Sequence, residues 1–232
     1  MTKEQTRRNL FIGAASVAGV VLAGSAMAQS APAGVKVEYT PKKLPFDPSK
    51  VKGLSQKLLE SHYENNYIGA VKRLNAITAQ LASLDIATAP VFVVNGLKRE
   101  ELIAANSMII HELYFDSLAG EGEPAGALAE VIARDFGSLA RWKAEFSATG
   151  KALGGGSGWV MLSWSPRDKR LVNTWAADHT MSLAGGTPIA VLDMYEHAYA
   201  MDYGAKAAAY VDAVMAALDW RAADRRFATI SV

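Results

Sequence analysis

Apolar residues between positions 48 and 84 recur mostly at intervals of three and four, and this spacing predicts one long or bent helix. The apolar positions are Val51, Leu54, Leu58, Leu59, Ile68, Val71, Leu74, Ile77 and Leu81. A loop with Pro90 and Gly96 follows, and a second amphipathic helix is predicted from about Lys98 onward. We expect the two helices to form an antiparallel hairpin domain over residues 44–119.

The remaining part of the chain, residues 120–232, mixes helical and strand patterns. Helices are predicted at 125–133, 138–148, 206–218 and 219–227, and strands at 159–164, 171–176 and 188–192. The glycines at 154–156 lie before a predicted strand, and no G-K-[ST] motif follows them. They therefore predict a turn and not a phosphate-binding loop. The predicted fold class is α+β, with an N-terminal helical hairpin followed by an α/β lobe with a small antiparallel sheet of about three strands.

The N-terminal segment, residues 1–28, has the pattern of an export signal. The paired residues Arg7 and Arg8 precede an apolar stretch at 10–23, and a small-x-small triplet ends the segment. This order is typical of the bacterial twin-arginine signal, so we expect cleavage there and a periplasmic or otherwise exported protein with no membrane attachment. The alternative is an uncleaved anchor, since the apolar stretch is nearly long enough to cross a bilayer. Residues 29–43 are predicted to be a linker.

The composition argues against nucleic-acid binding and against metal sites built from cysteine. The chain carries 24 basic and 23 acidic residues, for a formal net charge of +1, which gives no basic field for RNA or DNA. It contains no cysteine, so neither disulfides nor thiolate metal ligands are available. Half of the residues are apolar, enough for a substantial core.

Histidine and carboxylate positions indicate a metal site. The four histidines are His62, His111, His179 and His197, and Asp193 lies four residues before the last of them. Imidazole and carboxylate are ligands that suit iron, manganese or zinc. The alternative for each histidine by itself is a hydrogen-bonded core residue, because spacing alone does not connect residues so far apart in the chain.

The segments around these residues resemble the motifs of the iron/manganese superoxide dismutases. Residues 44–46 read L-P-F, like the family's L-P-[FY] before its first metal-binding histidine, and residues 110–115 approximate N-H-x-x-[FY]-W. Four more segments match in order, namely 134–138 (RDFGS), 142–146 (WKAEF), 156–159 (GSGW) and 193–199 (DMYEHAY). The resemblance covers roughly residues 42–228.

This resemblance implies an enzyme that converts superoxide to dioxygen and hydrogen peroxide at one iron or manganese ion per chain. The implied metal ligands are His62, His111, Asp193 and His197. The resemblance gives His179 an outer-sphere role, in which it hydrogen-bonds metal-bound solvent. The residues implied to surround the ligands or to join two subunits are Tyr195, Glu196, Trp159 and Tyr199. A homodimer is expected, because the family's equivalent of Glu196 reaches across to the partner subunit.

The positions that line the family's substrate channel depart from its pattern. Ala70 stands where the family has a Tyr, Asn66 where it has a His, and Lys206 precedes Ala207, near which the family has an Arg. Two outer-sphere Trp positions are also replaced, by Phe115 and Tyr195. These departures leave open a dismutase-fold protein with weak or no activity, such as one that holds zinc. A metal-dependent hydrolase is a further alternative, although no separate general base is evident near the ligands.

Overall fold

The computed structural model describes residues 37–120 and 122–230. The predicted export signal, residues 1–28, lies outside these ranges, and so does most of the predicted linker. Within the described part of the chain, no helix is both long enough and apolar enough to cross a membrane.

The first helical segment starts later than its apolar spacing predicts. Its parts are a 3-10 turn at Pro48–Lys50, α1 at Gln56–Ser61, a π-helical turn at His62–Tyr67 and α2 at Ile68–Ser83. Ser55 sets the start of α1, because its hydroxyl accepts a hydrogen bond from the backbone N–H of Leu58 at 3.1 Å. The predicted start near residue 48 is wrong, since Val51 and Leu54 are buried in the core without being helical.

The second long helix, α3, spans Val91–Asp116 and packs along α2. The predicted start near Lys98 is wrong for two reasons. Pro90 fits directly before a first helical turn, and Gly96 is tolerated inside the helix at a cost of about 1 kcal/mol relative to alanine. α3 carries His111 close to its C-terminal end, where the side chain is buried.

A three-stranded antiparallel sheet forms the centre of the C-terminal half. The strands are β1 at Trp159–Ser165, β2 at Arg170–Ala176 and β3 at Thr187–Asp193, in the order β2-β1-β3. The central strand β1 is buried along its whole length, as its apolar run predicts. Its first residue, Trp159, pairs with Asp193 at the end of β3. The predicted α+β fold class with a three-stranded sheet is confirmed.

Helices cover the sheet, and their ends differ from the predicted ones by a few residues. They are α4 at Gly126–Phe136, α5 at Leu139–Ala152, a 3-10 turn at Glu196–Ala198, α6 at Ala200–Tyr203, α7 at Ala207–Ala216 and α8 at Trp220–Ala228. Ser138 caps α5 as predicted, accepting a hydrogen bond from the backbone N–H of Arg141 at 3.1 Å.

The glycine directly before β1 is required by a close approach of β2. Gly158 has φ +131°, and a Cβ at this position would lie 1.9 Å from the carbonyl oxygen of Ala176. The carbonyl of Gly158 accepts a hydrogen bond from the backbone N–H of Met194 at 2.9 Å. This bond ties the chain after β3 to the start of β1, so the glycine-rich segment helps to fix the end of β3.

Candidate metal centre

Four side chains from separate parts of the chain meet at the end of β3. His62 comes from the π-helical turn, His111 from α3, Asp193 from the last position of β3 and His197 from the 3-10 turn that follows. The Nε2 atoms of the three histidines lie 3.1, 3.6 and 3.3 Å from Oδ2 of Asp193, in that order. One ligand atom from each of the four residues lies within 4.8 Å of all the others. The structure thus brings together the four ligands predicted from the sequence.

The four ligand atoms are suited to a metal ion and to little else. They are buried, and none has a hydrogen-bond partner among the described residues, although leaving a buried polar atom unsatisfied costs about 1–3 kcal/mol. The distances from Oδ2 of Asp193 to the three nitrogens are like those between atoms that bind the same metal ion. Such atoms lie about 2.0–2.2 Å from the ion. Iron, manganese and zinc all accept such a set of imidazoles and one carboxylate.

The buried groups are held in the protonation states that bind a metal. Burial lowers the pKa of His62, and it lowers the pKa of His111 to about 3. Burial alone would raise the pKa of Asp193, but interactions with His197 and His62 outweigh it and lower that pKa below its usual value. At neutral pH the site therefore offers neutral imidazole and ionised carboxylate, which are the forms that coordinate metals.

Hydrogen bonds from the surrounding backbone orient two of the ligands. Nδ1 of His111 lies 2.6 Å from the carbonyl oxygen of Ser107, so Nδ1 carries the hydrogen and Nε2 keeps its lone pair for the metal. The backbone N–H of Tyr195 donates to Oδ1 of Asp193 at 2.8 Å, which leaves Oδ2 for the metal.

A buried pair of tyrosines supports the backbone at the same position. Tyr210 donates from its hydroxyl to the carbonyl oxygen of Asp193 at 2.8 Å, and the hydroxyl of Tyr114 lies 3.1 Å from that of Tyr210. Neither tyrosine was predicted from the sequence. Tyr114 follows His111 by three residues on a helix, and this spacing was the available signal that it lies on the ligand's side of α3.

Aromatic rings enclose the cluster. The ring of Tyr195 stacks on that of His197 at 5.2 Å and on that of His179 at 4.8 Å. Trp159 meets His111 edge to face at 5.1 Å, and Phe115 meets His62 in the same way at 5.1 Å. The two residues that replace the family's Trp positions, Phe115 and Tyr195, thus still form part of the wall around the ligands.

His179 lies beside the cluster in a defined tautomer. The indole N–H of Trp159 donates to Nδ1 of His179 at 3.0 Å, so a neutral His179 carries its own hydrogen on Nε2. The side-chain amide of Asn106 donates to the backbone carbonyl of His179 at 2.5 Å and anchors the loop. The predicted outer-sphere residue is therefore available as a hydrogen-bond donor.

A cleft of about 280 Å³ leads from the surface to this centre. Its lining residues are Asn65, Asn66, Gly69, Ala70, Arg73, Ile103, Ala104, Ser107, His111, His179 and His197. Asn66 and Ala70, which the sequence assigned to the channel, are among them. Lys206, predicted as a channel residue, is exposed at the N-terminus of α7 and is not among the described residues that line the cleft. Arg73 also lines it, although no motif in the sequence indicates this residue.

The last two predicted residues, Glu196 and Tyr199, differ in their exposure. Glu196 is exposed, so its carboxylate is accessible from outside the chain. Tyr199 is buried behind the site, where its ring packs on that of Tyr210 at 5.3 Å and its hydroxyl accepts a hydrogen bond from the backbone N–H of Gly155 at 3.4 Å. Tyr199 therefore supports the core and does not face the cleft.

Comparison with known proteins agrees with this geometry. Residues 124–226 match the model of the iron/manganese superoxide dismutases, C-terminal domain. The protein named "Superoxide dismutase [Fe]" from Cupriavidus metallidurans is 69% identical over 190 residues, which are 82% of this chain and 96% of that protein. The chain belongs to the iron/manganese superoxide dismutase family. The resemblance seen in the sequence motifs is therefore confirmed.

More distant members of the family carry names with either metal. "Superoxide dismutase [Fe]" from Aquifex aeolicus is 35% identical over 188 residues, covering 78% of this chain and 87% of that protein. "Superoxide dismutase [Mn] 1" from Halobacterium salinarum is 34% identical over 194 residues, covering 82% and 95%. Family membership leaves little support for the alternative of a metal-dependent hydrolase.

Metal-free protein is expected to lose stability on acidification, because burial lowers the pKa of both His62 and His111 in the folded chain. The unfolded chain then binds more protons than the folded one between about pH 6.5 and pH 3, so stability falls as the pH falls through this window. The measurement is the urea midpoint of metal-free protein at about pH 7.5 and about pH 5.5. A His111→Gln variant should show a smaller decrease, and a midpoint that stays constant in the parent protein would contradict the prediction.

Proposed function

We propose that this protein is a superoxide dismutase that works at one metal ion held by His62, His111, Asp193 and His197. The observation that carries the proposal is the meeting of four buried, unpartnered ligand atoms at the inner end of a cleft. Membership of the iron/manganese superoxide dismutase family supplies the reaction. Iron is the favoured ion, because the relative at 69% identity is named for iron.

The protein's own groups would hold the ion and control what reaches it. A bound iron or manganese ion would supply one-electron redox chemistry between the +3 and +2 states, by which two superoxides and two protons would give dioxygen and hydrogen peroxide. The three imidazoles and the carboxylate of Asp193 supply the ligand atoms. The rings of Trp159, Tyr195 and Phe115 limit the access of water to these ligands from the sides.

His179 would serve as a donor inside the cleft. Its Nδ1 accepts from Trp159, so the hydrogen on Nε2 is available to solvent or substrate beside the ligands. Stacking against Tyr195 restricts rotation of the imidazole ring. We propose that this donor helps to stabilise negative charge on oxygen in the cleft, and so influences how readily the metal is reduced.

Protons would reach the cleft through water, because Ala70 offers no donor. Two nearby tyrosines do not replace the missing hydroxyl. Tyr63 donates to the carbonyl of Lys42 at 2.8 Å, and Tyr67 donates to Oε1 of Glu112 at 3.0 Å. Burial, as the largest cause, raises the pKa of Tyr67 to about 12. Neither residue lines the cleft that leads to the metal centre.

Export through the twin-arginine route is proposed from the sequence of residues 1–28. That route carries folded proteins, so the metal would be inserted before the protein leaves the cytoplasm. Expression of the full chain in a bacterium, followed by fractionation, tests this with Arg7 and Arg8 both changed to lysine. Protein that reaches the periplasm equally well with the two lysines would contradict the proposal.

The central test combines metal content with activity. Protein loaded with iron should contain about one ion per chain and consume superoxide, whereas His111→Ala should lose most of both. Zinc-loaded protein is the matched control, since zinc fills the same ligands but has no redox cycle. The enzymatic proposal would be refuted if protein with a full iron site were no more active than free iron. The chain would then be a metal-binding protein with the dismutase fold.

Restoring a hydroxyl at the channel position should increase turnover where protons are scarce. We expect Ala70→Tyr to raise the rate several-fold at high pH, because a positioned acid typically contributes a factor of about 100 or more to proton transfer. Stopped-flow decay of superoxide across pH measures this. Ala70→Phe is the control, since it adds the ring without the hydroxyl. Equal rates for the two variants, or no gain at any pH, would contradict the prediction.

We propose that the active protein is a homodimer joined near its metal centres. Exposed Glu196 follows Tyr195 and precedes the ligand His197, whose side chain is 26% exposed, so a partner's carboxylate can approach that imidazole. Glu196→Ala should weaken the dimer and shift its dissociation to higher protein concentration, as measured by light scattering. Glu64→Ala, at another exposed acidic residue, is the control. A parent protein that is monomeric at micromolar concentration would refute the proposal.

A further inference from the structure

One arginine lies in the wall of the cleft that leads to the metal ligands. Arg73 belongs to α2 and follows Ala70 by three residues and Asn66 by seven, so the three residues share one face of the helical segment. All three line the cleft. The side chain of Arg73 is 54% exposed, which fits a position at the outer part of the cleft.

The cleft is otherwise free of lysine, arginine and carboxylate side chains among the described residues that line it. The charge of Arg73 therefore meets no opposing charge in the cleft wall itself. Its effect extends inward to His179. Burial is the main reason why the pKa of His179 is lowered, and the positive charge of Arg73 is one of the smaller causes that act in the same direction.

A carboxylate outside the cleft wall moderates this charge. Glu100, on α3, forms an ion pair with Arg73 through Oε2 and has a second cation, Arg99, 3.3 Å from its Oε1. Because Glu100 is shared between two arginines, it neutralises Arg73 only in part. The pair also holds the guanidinium of Arg73 between α2 and α3, at the side of the cleft.

We propose that Arg73 attracts superoxide into the cleft and that Glu100 limits the strength of this attraction. The proposal rests on the proposed dismutase function. It places the cation of the channel on α2, whereas the family pattern has an arginine near Ala207. Superoxide carries one negative charge, and a positive group at the mouth of a low-dielectric cleft raises the rate at which such an anion enters. An exposed charge of this kind acts strongly at low ionic strength and weakly at high ionic strength.

The test compares four variants of the iron-loaded protein. Arg73→Gln removes the charge, Arg73→Lys keeps it, and Glu100→Gln removes the opposing carboxylate. Arg167→Gln is the matched control, because Arg167 is 93% exposed in the turn between β1 and β2 and the substitution changes the net charge by the same amount. One readout is kcat/KM for superoxide as a function of ionic strength. The second is the dissociation constant of azide, a small stable anion, measured from the absorption spectrum of the iron centre.

At low salt we expect Arg73→Gln to lower kcat/KM about threefold and Glu100→Gln to raise it about twofold, with both effects shrinking as salt is added. Azide should bind about threefold more weakly to Arg73→Gln, while Arg73→Lys and Arg167→Gln stay close to the parent protein. A loss in Arg73→Gln that is independent of salt, or a loss equal to that of Arg167→Gln, would overturn the proposal. If the parent protein has no activity, the dismutase function fails, but azide affinity still decides whether Arg73 attracts anions.

Discussion

The buried carboxylate of Asp193 is the constraint on which the rest of the structure depends. It is fully buried, and its nearest polar neighbours at Oδ2 are three imidazole nitrogens that have no hydrogen-bond partners of their own. An isolated buried carboxylate costs several kcal/mol, and neutral imidazoles do not supply the missing positive charge. A bound di- or trivalent cation supplies it and satisfies all four groups together. A bound metal ion would therefore compensate a charge that the fold has buried.

Several unrelated contacts hold this carboxylate in place. The sheet register sets Asp193 opposite Trp159, and the bond from Met194 to Gly158 fixes the chain just beyond it. Tyr210 binds its carbonyl and the backbone of Tyr195 binds Oδ1. Because the backbone and one carboxylate oxygen are already occupied, only Oδ2 is directed at the histidines. Rigid support of this kind fixes the geometry of the ligands before any ion arrives.

The cluster of candidate ligands and the fold class were predictable from the sequence, whereas the cleft was predictable only in part. The motifs around His62, His111 and Asp193 indicated the candidate ligands through family resemblance, and the strand segments indicated the three-stranded sheet. Helix ends were less predictable, because Pro90 and Gly96 suggested a loop, whereas Pro90 directly precedes the first turn of α3 and Gly96 lies inside that helix. Arg73 was missed for a similar reason, since its role depends on which face of α2 lines the cleft and on no motif of its own.

Anomalous diffraction at the iron and manganese absorption edges tests the central claim most directly. Crystals of the purified protein should give one anomalous peak per chain, bonded at about 2.0–2.2 Å to Nε2 of His62, His111 and His197 and to Oδ2 of Asp193. A peak at other residues would contradict this account. So would crystals of metal-replete protein in which these four atoms form hydrogen bonds with one another and coordinate no ion.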